Sequence, residues 1–359
     1  MKWLAVLVLV GLAACGVDTE IAETAVTSSS SSTSAGEVAP TLTLVAEIDE
    51  PVDASVRAGD KALYVVSRGG RVHRIVDGVA VEGAALDVSD LTEAEGERGL
   101  LGLAFSPDGT VAYVNYTDLN GDTVVARLSV SPDGTIDRAS MRTLLTIAQP
   151  YANHNGGDVV VEPAGSLLVA TGDGGSGGDP DRVALEDSSL LGKVLRVDSE
   201  TGAATVIARG LRNPWRVDLF DDRLWLADVG QGEWEEVSVL DGVSQVRDVV
   251  DFGWSAYEGT ERFNDDQNSP THVPPVLVYE HGDDGCSISG GAVAVSGALT
   301  SRYVFADYCS GRVWSILTDG VNPEKEQLFE GLESPVAVVR AGEDLYVLTL
   351  GSGVFRIHS

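Results

Sequence analysis

A histidine and an aspartate in two glycine-rich turns are the residues of this chain best suited to chemistry. Residues 151–175 read YANHNGGDVVVEPAGSLLVATGDGG, with His154 in the first turn, Asp173 in the second, and a β-rich run ending at 167–171 between them. If the strands of this segment pair as a hairpin, the imidazole and the carboxylate come to one end of a small sheet. That is the arrangement of a general base and the group that orients it. The alternative is a loop histidine satisfied by backbone beside an ordinary turn aspartate. Arg212 and Asn213, in RNPW, offer fixed donors to a carboxylate, a developing oxyanion or a quinone oxygen. DVGQG, which holds Gly230 and Gln231, falls at a strand end where backbone carbonyls can ligate a hard cation such as calcium. The acidic runs at 172–181 and 261–267 are surface-calcium candidates or solvated loops. GERGLLG at 96–102 either lets backbone approach a ligand closely or is a strand-entry turn with a solvated Glu97 and Arg98.

These residues need a frame, and the chain around them is almost entirely β in pattern. Short β-branched runs bounded by Gly, Asp, Asn and Pro recur throughout, and no helical period lasts beyond two turns. A turn followed by two short strands appears six times, from Ala58, Ser106, Glu162, Phe220, Leu299 and Ala341. One such hairpin with one or two flanking strands makes a four-stranded antiparallel blade, so the expected fold is an all-β, six-bladed propeller over 41–359. The early strand at 42–48 is placed to complete the last blade and close the ring, which removes the exposed edges of an open sheet. Loops on one face of a propeller converge on the axis, and His154, Arg212 and the 96–102 turn all precede a hairpin in the same relative position. Trp225, Trp234, Trp254 and Trp314 lie on or beside β runs and read as packing residues; His73, His272, His281 and His358 show no partner in the sequence. There is no nucleophile elbow, phosphate-binding loop or zinc spacing.

Acidic residues outnumber basic ones 55 to 24, a net charge of −31 that argues against a nucleic-acid partner, since phosphate binding needs the opposite sign. Residues 1–15, MKWLAVLVLVGLAAC, combine an early Lys, an apolar run too short to span a bilayer, and small residues before a cysteine. LAAC matches a bacterial lipobox, which makes Cys15 a lipidation site and predicts an extracytoplasmic protein anchored to a bacterial membrane surface. Residues 16–40, Ser/Thr-rich and poor in large apolar side chains, read as a flexible tether. Cys286 and Cys309 then remain, an even number in an oxidising compartment, and a disulfide between them is expected.

The motifs ERGLLGLAFSPD, NHNGGDVVVEP, TGDGG, LLGKVLRVD, GLRNPWR, ADVGQGEWEEV and DFGW, in that order, resemble the soluble aldose sugar dehydrogenases that use pyrroloquinoline quinone (PQQ), the glucose/sorbosone dehydrogenase family. The resemblance implies a six-bladed propeller, with His154 as general base, Asp173 as its orienting carboxylate, and Arg212 and Asn213 as the polar pair at quinone and substrate. It implies that the carbonyls of Gly230 and Gln231 hold calcium under the cofactor. The implied reaction oxidises the anomeric carbon of an aldose to a lactone by hydride transfer to the quinone, which passes electrons to an acceptor. Three positions depart from the family pattern. Where the family carries a lysine on the fifth hairpin this chain has DYCSGR, with Cys309 nearest; where it carries two arginines before the last hairpin, LESPVAVV places Leu332 and Ser334. Fewer cations weaken the binding of a tricarboxylate. GCSISGG and DYCSGR are more similar to a related branch that includes the propeller of hedgehog-interacting protein and lacks the cofactor, which implies the alternative of a tethered propeller that binds a carbohydrate or protein without turnover.

Overall fold

The six expected hairpins fold into six small antiparallel sheets arranged as a ring. The structure is a computed structural model that describes residues 39–319, 323–351 and 353–359, so the segment with Cys15 and nearly all of the tether lie outside the described residues. The innermost strands, in chain order, are Pro51–Val56, Leu100–Phe105, Val159–Val161, Pro214–Phe220, Ile288–Val293 and Pro335–Ala341. Each touches the next around the axis, and the sixth touches the first. Thr41–Ala46 pairs antiparallel with the C-terminal strand Gly353–His358, so the sixth blade is sewn from both ends of the propeller and the ring is closed.

Strand burial follows from this layout. The second strand of a blade is covered on both faces and reads as a continuous buried run: Leu63–Ser67 and Leu167–Thr171 are buried at every residue. An outermost strand is half wet, as in Ile136–Ile147, where only the two end residues are buried and the rest are exposed or half-buried. The apolar clusters lie between blades. One joins the sixth, first and second, and others join the second to the third, the third to the fourth, the fourth to the fifth and the fifth to the sixth.

Two blades depart from four strands. In the first, the outer position is shared by the short strands Val79–Ala80 and Leu86–Asp87, both paired with Arg71–Val76. In the third, Val250–Asp251 adds a fifth strand, parallel to Ala204–Arg209. That strand belongs to a long excursion between the last two strands of the fourth blade, Trp234–Asp241 and Leu277–Glu280, which crosses back to cover the third blade.

One sixfold feature escapes the hairpin pattern. The last residue of every second strand is a buried Ser, Thr or Asp: Ser67, Thr117, Thr171, Asp228, Asp307 and Thr349. Asp228 accepts the backbone N–H of Arg212 and Asn213, and Asp307 those of Cys286 and Ser287. Ser67 and Thr117 likewise bind Asp49 and Gly99 in the loops entering their own blades, whereas Thr171 binds Leu190 and Lys193, between the second and third strands of its blade. Backbone groups in these loops would otherwise lack partners, because no ladder reaches them.

Candidate functional site

His154 sits in the loop that enters the third blade, and Asp173 stands two residues past that blade's second strand. Val159–Val161 and Leu167–Thr171 pair as a hairpin, with Val159 opposite Val169. The two side chains therefore meet: His154 Nδ1 is 2.7 Å from Asp173 Oδ1. His154 has a positive φ of 55°, a conformation uncommon outside glycine, and the surrounding loops must hold it there. They press close. A Cβ on Gly172 would lie 2.0 Å from the His154 carbonyl oxygen, so no side chain fits in TGDGG at that point.

Asp173 is fully buried and fully used. Its Oδ1 also accepts the N–H of Gly175 at 3.0 Å, and its Oδ2 accepts Trp254 Nε1–H at 2.8 Å. A carboxylate fixed in this way holds the proton of the imidazole on Nδ1 and leaves Nε2 its lone pair. Among the described residues Nε2 has no hydrogen-bond partner, and it is not among the buried unpartnered atoms. Trp254 is packed as expected of a buried tryptophan, yet it is also part of the site: Asp173 binds its edge, and the Arg212 guanidinium lies over its ring at 5.7 Å.

Glu97, one of the two charged residues of the GERGLLG turn, is part of the site. It reaches from the second blade and is not a solvated turn carboxylate. Its Oε2 accepts the N–H of His154 at 2.7 Å, the N–H of Asn155 at 3.4 Å and Asn213 Nδ2–H at 3.1 Å. Asn213 Oδ1 in turn accepts the N–H of Gly156 at 3.1 Å. Three blades thus fix the His154 loop, and the Asn213 amide serves this network first. The neighbouring Arg98 is held by Glu93 at 2.9 Å.

Arg212 is 8% exposed and straddles the site. Its backbone N–H is held by Asp228, its Nη1 donates to the Val229 carbonyl at 2.8 Å, and its buried Nε has no partner. Burial pushes the Asp228 carboxyl up to about 7, against the backbone N–H groups of Arg212 and Asn213 and the Arg212 charge; Asp173 adds to the rise.

The Gly230–Gln231 loop is stapled from behind. Glu258 Oε1 accepts the N–H groups of Gln231, Gly232, Glu233 and Trp234, at 2.9, 2.7, 2.8 and 3.2 Å. Gln231 Oε1 accepts the N–H of Gly178 at 2.7 Å. With its N–H groups turned to Glu258, the loop leaves the Gly230 and Gln231 carbonyls without hydrogen bonds among the described residues. The carboxylates of Asp228, Glu235, Glu236 and Glu258 lie close enough together that burial, then Asp228, Glu235 and Glu258, push Glu236 well above the usual carboxylate range. Free carbonyls in a negative field suit a hard cation. Among the described residues no group of three or more His, Cys, Asp or Glu side chains is arranged to hold a metal. In the run at 172–181, Asp179 instead binds the N–H of Val183 and the Ser255 hydroxyl.

The fifth and sixth blades present a different chemistry to this face. Cys286 and Cys309 form a disulfide with Cα atoms 5.6 Å apart. Asp307 accepts the N–H groups of Cys286, Ser287, Cys309 and Ser310, and Tyr308 is exposed beside the bridge. Arg312 and Lys325, the cations nearest in the fifth blade, are both tied to Asp284. Leu332 packs on the core and donates its N–H to the Gly311 carbonyl. The donor set therefore fits a quinone oxygen and a calcium ion on the third and fourth blades, and among the described residues it offers no counter-charge to a tricarboxylate on this face of the fifth and sixth.

Of the histidines without a visible partner, three are engaged: His73 with Ser67, His272 with the Ser269 carbonyl and the Tyr257 ring, and His281 with Glu235 at 2.6 Å. His358 is exposed at the C-terminal edge.

Hipl1 protein of Arabidopsis thaliana is 29% identical over 223 residues, 49% of this chain and 31% of that protein. Human Hedgehog-interacting protein is 27% identical over 191 residues, 45% of this chain and 26% of that protein. The chain thus spans about a third or less of the length of these curated relatives. Among solved structures, the PQQ-bound aldose sugar dehydrogenase of Streptomyces coelicolor matches with a TM-score of 0.72 at 21% identity, over 89% of this chain and 98% of that one. The soluble aldose sugar dehydrogenase of Escherichia coli, in its apo form, matches with a TM-score of 0.72 at 18% identity, over 89% and 99%. At such identity these likenesses show the fold. The sequence profile of glucose/sorbosone dehydrogenases matches residues 48–353, nearly the whole propeller, and the chain belongs to that family.

Proposed function

We propose that this propeller oxidises the anomeric carbon of aldose sugars, with His154 as the base. The observation that carries the reading is the His154–Asp173 pair, with Nε2 free on the same floor as Arg212 and the Gly230 and Gln231 carbonyls. His154 Nε2 takes the proton of the anomeric hydroxyl, and Asp173 holds the imidazolium that results. Arg212, whose buried Nε is unpartnered, supplies charge to an oxygen that becomes negative as the carbon gives up hydride. Glu97 and Asn213 keep the His154 loop in its left-handed turn. PQQ, held by Arg212 and Asn213 with calcium on the Gly230 and Gln231 carbonyls, would supply the hydride acceptor and pass electrons to a partner. The missing cations on the fifth and sixth blades predict looser retention of that cofactor than a full set would give. Anchoring through a lipidated Cys15 would place the reaction at a membrane surface outside the cytoplasm, and mass spectrometry of the mature N-terminus checks this.

The test is to incubate purified protein with PQQ and calcium, desalt it, and read both the retained quinone spectrum and dye reduction with a panel of aldoses. Retained quinone with sugar-dependent dye reduction supports the proposal. No retained quinone and no turnover on any sugar would overturn it. The second reading, a propeller that binds a carbohydrate or protein without turnover, is favoured by the same missing cations and predicts calorimetric binding in the absence of quinone.

A further inference from the structure

The axis of the ring holds a second polar centre, on the far side of the floor beneath the dyad. A cavity of about 220 Å³ is lined by the inner strands of all six blades, from the level of Asp53 and Arg216 toward the ends of those strands. Arg216 is its roof. It is 1% exposed and reaches across the axis from the fourth blade, donating from Nη2 to the Val52 carbonyl of the first blade at 2.7 Å. Those blades face each other in a ring of six.

Unmet valence in this channel belongs to the donors. Nη1 of Arg216 stands 3.8 Å from Asp158 Oδ1, beyond hydrogen-bond reach, and both its Nη1 and its Nε are buried without a partner. Arg340, bound through Nη2 to Asp218, likewise has a buried, unpartnered Nε, and the Tyr303 hydroxyl behind Asp218 is buried and unpartnered. The carboxylates, by contrast, are met. Asp53 accepts the N–H of Ala54 and Leu103, Asp158 those of Val159 and Val217, and Asp218 that of Val293 along with Arg340. Each of these aspartates takes an N–H from the next blade, so they act as staples between inner strands. A buried guanidinium with open N–H groups is costly unless an acceptor reaches it, and an acceptor with charge compensates it better than water.

We propose that the axial channel is a binding site for a small monovalent anion, of halide or formate size, seated against the Arg216 guanidinium. The groups facing it are Asp53, Asp158 and Asp218 against Arg216 and Arg340, three carboxylates against two guanidiniums. An anion therefore enters most readily with a proton. Asp53 is the group to carry it: burial pushes its carboxyl up to about 7 against the opposing Arg216 charge, and Asp158 adds to the rise. Burial also raises Asp158 and Asp218. Binding is strongest below pH 7, and the apparent affinity falls by up to about tenfold per pH unit above it, the limit for one linked proton.

Bromide is the probe. In crystals of the wild-type protein grown with bromide, an anomalous peak within hydrogen-bond distance of the Arg216 guanidinium is expected. In solution, bromide or chloride should raise the thermal midpoint relative to bulky glutamate at equal ionic strength, more at pH 6 than at pH 8. Arg216→Gln, which removes the guanidinium and is two bonds shorter, should remove the halide effect. Asp53→Asn, which keeps the guanidinium and fixes a neutral acid, should retain the effect and flatten its pH dependence; this variant serves if the first does not fold. The proposal fails if the axis holds only water or a cation. It fails equally if a bromide peak comes with no halide-specific shift in solution, an adventitious ion only, or if either variant behaves as wild type.

Discussion

His154 is held by contacts that reach far along the chain, and this decides what each neighbour is worth. Its N–H bond to Glu97 spans 57 residues, and the Trp254 bond to Asp173 spans 81. Trp254→Phe keeps the ring under Arg212 but leaves Asp173 Oδ2 buried with an open valence, which costs about 1–3 kcal/mol. It should lower kcat several-fold through a misoriented imidazole while KM changes little, and steady-state kinetics beside urea denaturation separates the two effects. Glu97→Ala, which strips the acceptor from three N–H groups, should be the harsher of the two in both assays. The His154–Asp173 pairing was legible from sequence because a hairpin brings its two ends together whatever the rest of the chain does. Glu97 and Trp254 were not, because nothing local distinguishes a turn glutamate or a packed tryptophan from one that reaches into another blade.

Loops carry the site at the next scale, and carboxylates tie them down: Glu97 the His154 loop, Asp228 the Arg212 loop and Glu258 the Gly230 loop. Glu258 holds the four N–H groups that follow Gly230, so Glu258→Ala should expose the amides of Gln231 to Trp234 to exchange by orders of magnitude, read by hydrogen exchange at unchanged overall fold. The same variant should weaken any stabilisation by calcium. On the fifth blade the disulfide closes a sequence separation of 23 residues, for which chain entropy gives about 3 kcal/mol. Asp307 already gathers both loop ends, so removing the bridge by Cys286→Ala with Cys309→Ala should cost no more than that and leave the propeller folded. The disulfide was legible because, with Cys15 set aside, two cysteines leave one pairing. The buried Ser, Thr or Asp that ends every second strand repeats as regularly as the hairpins, but three residue types occupy the position and a search for identity passes over it.

At the scale of the whole ring, closure and charge set the stability. Thr41–Ala46 supplies the outer strand of the sixth blade, so a chain beginning at Pro40 should melt like the full soluble chain, whereas one beginning at Glu47 should lose the closing strand and melt markedly lower. The axial aspartates fix the pH dependence. Asp53 is raised to about 7 from an ordinary 3.8, so between those values the folded chain holds a proton that the unfolded chain does not. Stability from this group is fully present below 3.8 and is lost as pH rises through 7. Asp87 works oppositely, lowered to about 2 by hydrogen bonds from Ser89 and Arg71, and its contribution disappears only on stronger acidification. Thermal midpoints in a glutamate buffer should therefore be higher at pH 5.5 than at pH 8, by a few degrees if one pKa unit's worth, about 1.4 kcal/mol, is realised. The net charge of −31 pushes in the same direction as carboxylates protonate. Six blades and their closure could be counted in the sequence from turns and β-branched runs. The fifth strand of the third blade could not, because it is donated by an excursion from the fourth and pairs in parallel over only two residues.

The proposed reaction turns on transfer of the sugar hydroxyl proton to His154. Its most direct test is kcat/KM for aldose oxidation by wild type and His154→Gln, with PQQ and calcium saturating and folding matched by circular dichroism. A loss of about 10² to 10⁴ is expected. Turnover by His154→Gln within threefold of wild type would contradict it.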